Sequence, residues 1–194
     1  MLEEFCAFIN AETKMNFLIK AAIAHLWFVT LHPFEDGNGR IARAVTEFVL
    51  AKSERTAFRF YSMSGQIQRE RKAYYKTIES AQRGTPDITN WIEWFLKALF
   101  KALQSAEEMI GRISVKARFW QAHSSENFTS EQQKILNMVL DGTLRGQLTS
   151  SRWAKMCKTS QDTAIRQIKD LQNRGILIQV GAGRSTHYEM MRSL

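Results

Sequence analysis

The run His32-Pro33-Phe34-Glu35-Asp36-Gly37-Asn38-Gly39-Arg40, with Arg43 three residues on, decides how the first half of this chain is read. Pro33 disfavours helix at the residue before it, so the apolar stretch 18–31 has to stop there. That stretch is apolar nearly all round, which predicts a buried helix. A turn rich in Gly and Asn follows. Residues 41–52 then carry Ile41, Val45, Phe48 and Val49 on one face, which predicts a second helix. The quoted run is therefore a loop that delivers the chain from the end of one helix to the start of the next.

Outward from this loop the pattern stays helical. Residues 64–83 predict a third helix that ends near Gly84. Residues 87 to about 121 open with Trp91, Trp94 and Phe95, have no internal breaker stronger than Gly111, and predict a long helix. The polar run His123-Ser124-Ser125-Glu126-Asn127 marks the expected boundary. Beyond it, 130–140 predicts a helix capped by Thr129 or Ser130, and 150–157 and 160–173 predict two more, the last stopped by Gly175. Residues 176–180 and 185–190, joined through Gly181-Ala182-Gly183, predict a β-hairpin. The fold class expected is mainly α, divided into a helical core over 1–122, a linker over 123–128 and a small domain over 129–194. Three helices and a hairpin are the order of a winged helix-turn-helix.

The bulk numbers bound the function classes. With 44% hydrophobic and 24% charged residues in 194, the composition is that of an ordinary soluble globular protein. The longest apolar run, near 21–31, is broken by His25 and Thr30 and is too short to cross a bilayer. No secretory signal is seen, and Cys6 and Cys157 have no metal-ligand spacing around them, so free thiols in a cytoplasmic protein are expected. The net charge is +8, and residues 128–194 hold ten Lys/Arg against five Asp/Glu. The excess there points to an anionic partner.

The loop gathers complementary chemistry within twelve residues. Helix N-terminal N–H groups and the partial positive charge there form an anion site, and Gly37 and Gly39 let the backbone approach a phosphate closely. Asn38 adds an amide donor. Arg40 and Arg43 are three apart on the first turns of the next helix, and guanidinium forks suit phosphate oxygens. Asp36 offers a hard oxygen, and one carboxylate plus substrate phosphates is a usual way to hold Mg²⁺. An imidazole such as that of His32 is the side chain suited to taking a proton from an incoming hydroxyl.

The string resembles the signature of the Fic family, His-Pro-Phe-x-Asp/Glu-Gly-Asn-Gly-Arg-x-x-Arg, with every fixed position met. The apolar helix before it, at Ile19-Lys20-Ala21-Ala22-Ile23-Ala24-His25, is also similar to the family, and the resemblance extends to about residue 100. It implies a protein adenylyltransferase that moves AMP from ATP to a Ser, Thr or Tyr hydroxyl, or the reverse hydrolase that removes it. By position, His32 would be the base and Asp36 would hold Mg²⁺. Gly37, Asn38 and Gly39 would cradle the phosphates, Arg40 and Arg43 would neutralise them, and Phe34 would anchor the loop in the core. Phosphorylating relatives carry Ala-Asn-Lys where this chain has Gly37-Asn38-Gly39, so adenylyl transfer is favoured. Tyr74, Tyr75 and Gln82 fall where the family places nucleotide contacts. The family's target-aligning flap lies upstream of the part resembled by residues 2–10, and the inhibitory (Ser/Thr)-x-x-x-Glu-(Gly/Asn) motif is not found. A site left open, or one unable to hold a target, is the pair of consequences expected.

In the C-terminal module, Gln161, Thr163, Arg166, Gln167 and Lys169 are expected on the exposed side of helix 160–173, with Ala164, Ile165, Ile168 and Leu171 inward. Arg166, Lys169, Arg174 and the wing residue Arg184 are the expected DNA contacts, in the manner of bacterial winged-helix repressors. Duplex DNA and a protein or dimer partner are both open uses of this module. The partners expected overall are ATP, a target protein, duplex DNA and a second copy, without a membrane. A transcription regulator that uses a Fic-like domain as a sensor is the alternative function.

Overall fold

The structure is a computed structural model that describes residues 1–54 and 59–191; the side chains at 53, 54 and 184 lie outside the described set. The elements are α1 (Leu2–Asn10), α2 (Phe17–Leu31), α3 (Asn38–Glu54), α4 (Met63–Arg69), α5 (Arg71–Arg83), α6 (Thr89–Ala122), α7 (Ser130–Leu140), α8 (Ser150–Cys157), α9 (Gln161–Asn173), β1 (Leu177–Val180) and β2 (His187–Met190). The chain is mainly helical, as its patterning implied. Among the described residues no helix is long and apolar enough to cross a membrane.

The chain divides into two compact units, Met1–Glu108 and Met109–Leu194. The division falls inside α6, whose Phe119 is buried in the second core. The polar run 123–127 comes after the end of that helix.

In the first unit α2 is the central element. The Asn16 side chain starts it by accepting from the Leu18 N–H at 2.8 Å. Ala21, Ala22, Ala24 and Ala42 are fully buried, and these small side chains let α3 pack closely on α2. Trp91 of α6 donates its indole N–H to the Ala22 carbonyl at 2.8 Å, so the largest ring in this core is also its anchored one.

One expected helix is two. Residues 64–83 break at Glu70, whose backbone leaves helical geometry at φ −105° and ψ 27°. No Gly or Pro marks the break in sequence. Glu70 instead accepts from Lys101 at 2.7 Å and from Gln66 at 2.6 Å, and these bonds, the lysine's first, hold its carboxyl below the usual range. The tertiary pairing overrides local propensity.

The second unit closes on Phe119, Ile135, Leu136, Trp153, Ile168 and Leu171. Thr129 and Gln132 form a reciprocal capping box at the start of α7. β1 and β2 pair antiparallel with Leu177 opposite Met190, and Tyr188 also bridges to Leu148. Gly181 sits at φ 76°, where a β-carbon would lie 2.7 Å from the Ser185 carbonyl, so the hairpin turn requires glycine.

Candidate active site

The loop begins with backbone strain. His32 caps α2 in the left-handed region at φ 47° and ψ 52°, with its N–H donating to Phe28 O at 3.1 Å. For a residue with a β-carbon this conformation costs on the order of 1–2 kcal/mol. It turns the chain off the helix and leaves His32 exposed.

Phe34 and Asn38 differ in burial from what their expected roles imply. Phe34, expected to anchor the loop in the core, is 46% exposed and meets Phe28 at a centroid distance of 6.3 Å. Asn38, expected to offer its amide to phosphate, is the buried anchor at 4% exposure. Its Oδ1 accepts from Phe34 N–H at 3.0 Å and its Nδ2 donates to Phe34 O at 2.5 Å. An amide that satisfies one residue's donor and acceptor together is a staple across the turn, and one Nδ2 hydrogen remains beyond it.

The phosphate-type groups face outward. Asp36 Oδ1 accepts from the Gly37 N–H at 2.6 Å, and Oδ2 accepts from Arg40 Nη2 at 3.0 Å. Gly37 holds φ 85°, the conformation that favours glycine. Gly39 is different: it is helical, and a β-carbon there would meet nothing within 4 Å. A side chain at Gly39 would therefore enter open space beside the loop. Among the described residues the N–H groups of Asn38 and Gly39 have no internal acceptor, so the start of α3 presents unused donors on that side. Arg43 spends Nε on Gly39 O at 3.1 Å, one turn back.

Two cavities meet here. The inner, about 380 Å³, is lined by Val29, His32, Asn38, Gly39, Arg43, Ile67, Gln68, Arg71, Tyr74 and Tyr75. The outer, about 270 Å³, is lined by His32, Glu35, Asp36, Gly37, Asn38, Gly39, Arg40 and Arg43. His32, Asn38, Gly39 and Arg43 belong to both. The inner wall combines Val29, Ile67 and the two tyrosine rings with Arg43, Gln68 and Arg71, and the outer is almost wholly polar, with Glu35 and Asp36 beside Arg40 and Arg43. A chamber with an aromatic wall and two guanidiniums, opening onto a polar one, is the shape of a site for a flat ring attached to a charged tail.

Of the expected nucleotide contacts, Tyr74 and Tyr75 line the inner cavity, Tyr74 buried and Tyr75 more than half exposed. Gln82 lines neither cavity and donates instead to Thr30 Oγ1 at 3.2 Å. Gln68 and Arg71 are lining residues that sequence reasoning missed. Arg71 lies three and four residues before the two tyrosines, so projecting that helical face back one turn finds it. Its guanidinium stands 5.6 Å from the Tyr75 ring centre.

For a metal, the donor set is one hard carboxylate. Among the described residues no group of three or more His, Cys, Asp or Glu gathers to hold an ion. The Asp36 side chain is 92% exposed beside the outer cavity. That suits Mg²⁺, which keeps waters and shares substrate phosphates, and does not suit an ion needing a full protein cage.

In the second unit, Arg166 and Lys169 are exposed on α9. Arg174, expected to touch DNA, is instead tied inward: Nη2 pairs with Asp170 at 2.8 Å, Nη1 donates to Asn127 O at 2.9 Å, and the group lies over Phe128. Gln167, expected outside, accepts from the Trp153 indole at 2.8 Å. The Arg184 side chain lies outside the described residues.

A family model described as Fic/DOC family matches residues 1–50, which contain the loop and the cavity-lining start of α3. A second, described as transcriptional regulator DIP2311-like, C-terminal domain, matches residues 139–191. A protein adenylyltransferase of Caenorhabditis briggsae is 26% identical over 140 residues, covering 71% of this chain and 25% of that protein. A probable protein adenylyltransferase of Aquifex aeolicus is 23% identical over 107 residues, covering 55% of this chain and 31% of that protein. The chain thus spans less than a third of the length of these relatives. A crystal structure of a Fic family protein from Desulfovibrio desulfuricans G20 superposes with a TM-score of 0.49 at 17% identity, covering 98% of this chain and 54% of that one. The Fic/DOC match thus falls on the segment that carries the loop, and the regulator-type match falls on a separate C-terminal segment.

Proposed function

We propose that this chain transfers AMP from ATP to a hydroxyl of a target protein. The observation that carries the reading is the junction of the two cavities at His32 and Arg43. A nucleoside in the inner cavity, against Tyr74 and Tyr75, would run its phosphates past Arg43 and the free N–H groups of α3 into the outer cavity. Gly39 leaves that path clear. His32 then stands beside the α-phosphorus, where a target hydroxyl would arrive. His32 takes the hydroxyl proton, the oxygen forms a bond to the α-phosphorus, and the bond from that phosphorus to the bridging oxygen breaks. The electron pair leaves with pyrophosphate, whose charge Arg40 and Arg43 stabilise. Asp36 would hold Mg²⁺, which supplies charge neutralisation across the phosphates when bound. An ion at Asp36 would loosen its pair with Arg40 and turn that guanidinium towards phosphate. With water in place of a protein hydroxyl, the same groups would remove AMP from a modified target.

The names of the two adenylyltransferase relatives support this reading over other nucleotide chemistry. Incubation with Mg²⁺, labelled ATP and candidate targets tests it. His32→Ala should lower protein labelling about 10²–10⁴-fold. Equal labelling by both proteins would reject the proposal.

A second reading concerns the C-terminal domain alone. Its match to a transcriptional-regulator family supports duplex DNA as a partner, with Arg166 and Lys169 the exposed cations on α9. Affinity that falls steeply with salt supports it, and no binding at low salt removes it.

A further inference from the structure

His25 lies on α2, seven residues before His32, with its ring wholly buried. Nδ1 is 2.8 Å from Thr46 Oγ1 on α3, and Nε2 is 2.8 Å from the Tyr74 hydroxyl on α5. The ring stacks on Trp91 of α6 at 5.5 Å and 29°. The direction of each hydrogen bond is set by the end of the chain of bonds. Thr46 Oγ1 is 2.8 Å from Ala42 O, and a carbonyl can only accept, so Thr46 gives its one hydrogen there. Towards His25, Thr46 can therefore only accept, which puts the ring proton on Nδ1. Nε2 is left as an acceptor, and Tyr74 donates to it. Burial, with the Arg43 guanidinium adding to it, pulls His25 down to about 3, and burial pushes the Tyr74 phenol up to about 12. The order of donation is Tyr74 to His25 to Thr46 to Ala42.

Both ends of this relay bear on the cleft. Tyr74 lines the inner cavity, and Thr46 is one turn beyond Arg43, which lines both cavities. We propose that His25 is a positioning residue for the cleft, holding Tyr74 and the Arg43 turn of α3 in fixed register through a one-way hydrogen-bond relay. An apolar ring would fill the same space but hold neither wall. Only a group that donates at one edge and accepts at the other holds both.

Ring ¹⁵N NMR of the full chain tests the relay without reference to activity. Nδ1 should carry the proton and Nε2 should be bare across the neutral range. A proton on Nε2, or titration near the ordinary histidine value, would overturn the proposal. The kinetic arm rests on the AMP-transfer reading. Thr46→Val should lower kcat about tenfold with the KM for ATP nearly unchanged, because it frees the turn carrying Arg43. Tyr74→Phe should raise that KM with kcat nearly unchanged. His25→Gln, whose amide can accept from Tyr74 and donate to Thr46, should restore both KM and kcat in part relative to His25→Phe. Variants that lose only folded protein, with kcat and KM intact, would reduce His25 to a core residue and sink the idea. If the wild-type chain transfers no AMP, the AMP-transfer reading fails separately. The backbone amide shifts then decide the relay: Gly39 and Arg43 should move in Thr46→Val, and Arg71 and Tyr75 in Tyr74→Phe. Shifts absent from these walls would overturn it.

Discussion

Among the described residues, two helices end on a residue other than glycine in the left-handed region: α2 on His32, at φ 47° and ψ 52°, and α8 on Lys158, at φ 54° and ψ 42°. The two turns match in outline. Each cap N–H returns to a carbonyl in the last turn, Phe28 for His32 and Ala154 for Lys158. A polar side chain then fastens the segment beyond each cap: Asn38 staples Phe34 in the first turn, and Ser160 caps α9 by accepting from Thr163 N–H at 3.1 Å in the second. Only their surroundings differ. His32 stands where two cavities meet, whereas Lys158 is exposed and lines none of the cavities described. Backbone strain alone is therefore not a mark of function in this chain. The left-handed turn is a way of redirecting a helix, and what it presents decides what it is for.

A large expected effect separates the turns by chemistry. Arg43→Ala should lower AMP transfer about 10²–10³-fold, since it removes a cation from both cavities. Lys155→Ala, a cation on the helix that Lys158 ends, should leave transfer unchanged. Comparable losses in the two variants would break the contrast.

Acid acts on the unit that carries the His32 turn. Below about 6.5 the unfolded chain binds a proton at His25 that the folded chain refuses until about 3. His25 therefore makes stability fall as the pH falls across that window, by up to about 1.4 kcal/mol per pH unit. Denaturant titrations of wild type and His25→Gln between pH 7 and 4 should differ in slope by about that amount. Parallel pH profiles would contradict the buried neutral ring.

The two staples sharpen the comparison further. Asn38→Ala leaves both Phe34 backbone groups without their partner and should cost about 1–3 kcal/mol together with much of the transfer activity. Ser160→Ala removes an exposed cap and should cost about 1 kcal/mol with no change in transfer. Thermal melts and the labelling assay, run on the same preparations, read both quantities.

The loop was legible in the sequence because its chemistry is carried by residue types at fixed spacing, and the helices around it because proline and apolar periodicity bound them. What each residue does with its hydrogen bonds was not. An asparagine next to two glycines reads equally as a phosphate donor or a backbone staple, and only the 2.5 and 3.0 Å contacts to Phe34 reveal the staple. Phe34 carries no sign in its type that half its surface stays exposed. The break at Glu70 depends on Lys101, thirty-one residues away, and the inward fold of Arg174 depends on Asn127 and Phe128, which no local window includes. His25 looked like an interruption of an apolar run, because its partners Thr46 and Tyr74 lie on other helices.

The most direct test puts glycine at both left-handed positions and reads stability and transfer together. Glycine adopts this conformation without the β-carbon penalty, so His32→Gly and Lys158→Gly should each retain or gain stability, by up to about 1 kcal/mol. Lys158→Gly should keep full AMP transfer from labelled ATP, and His32→Gly should lose about 10²–10⁴-fold. Undiminished transfer by a folded His32→Gly protein would contradict the assignment of His32 as the base.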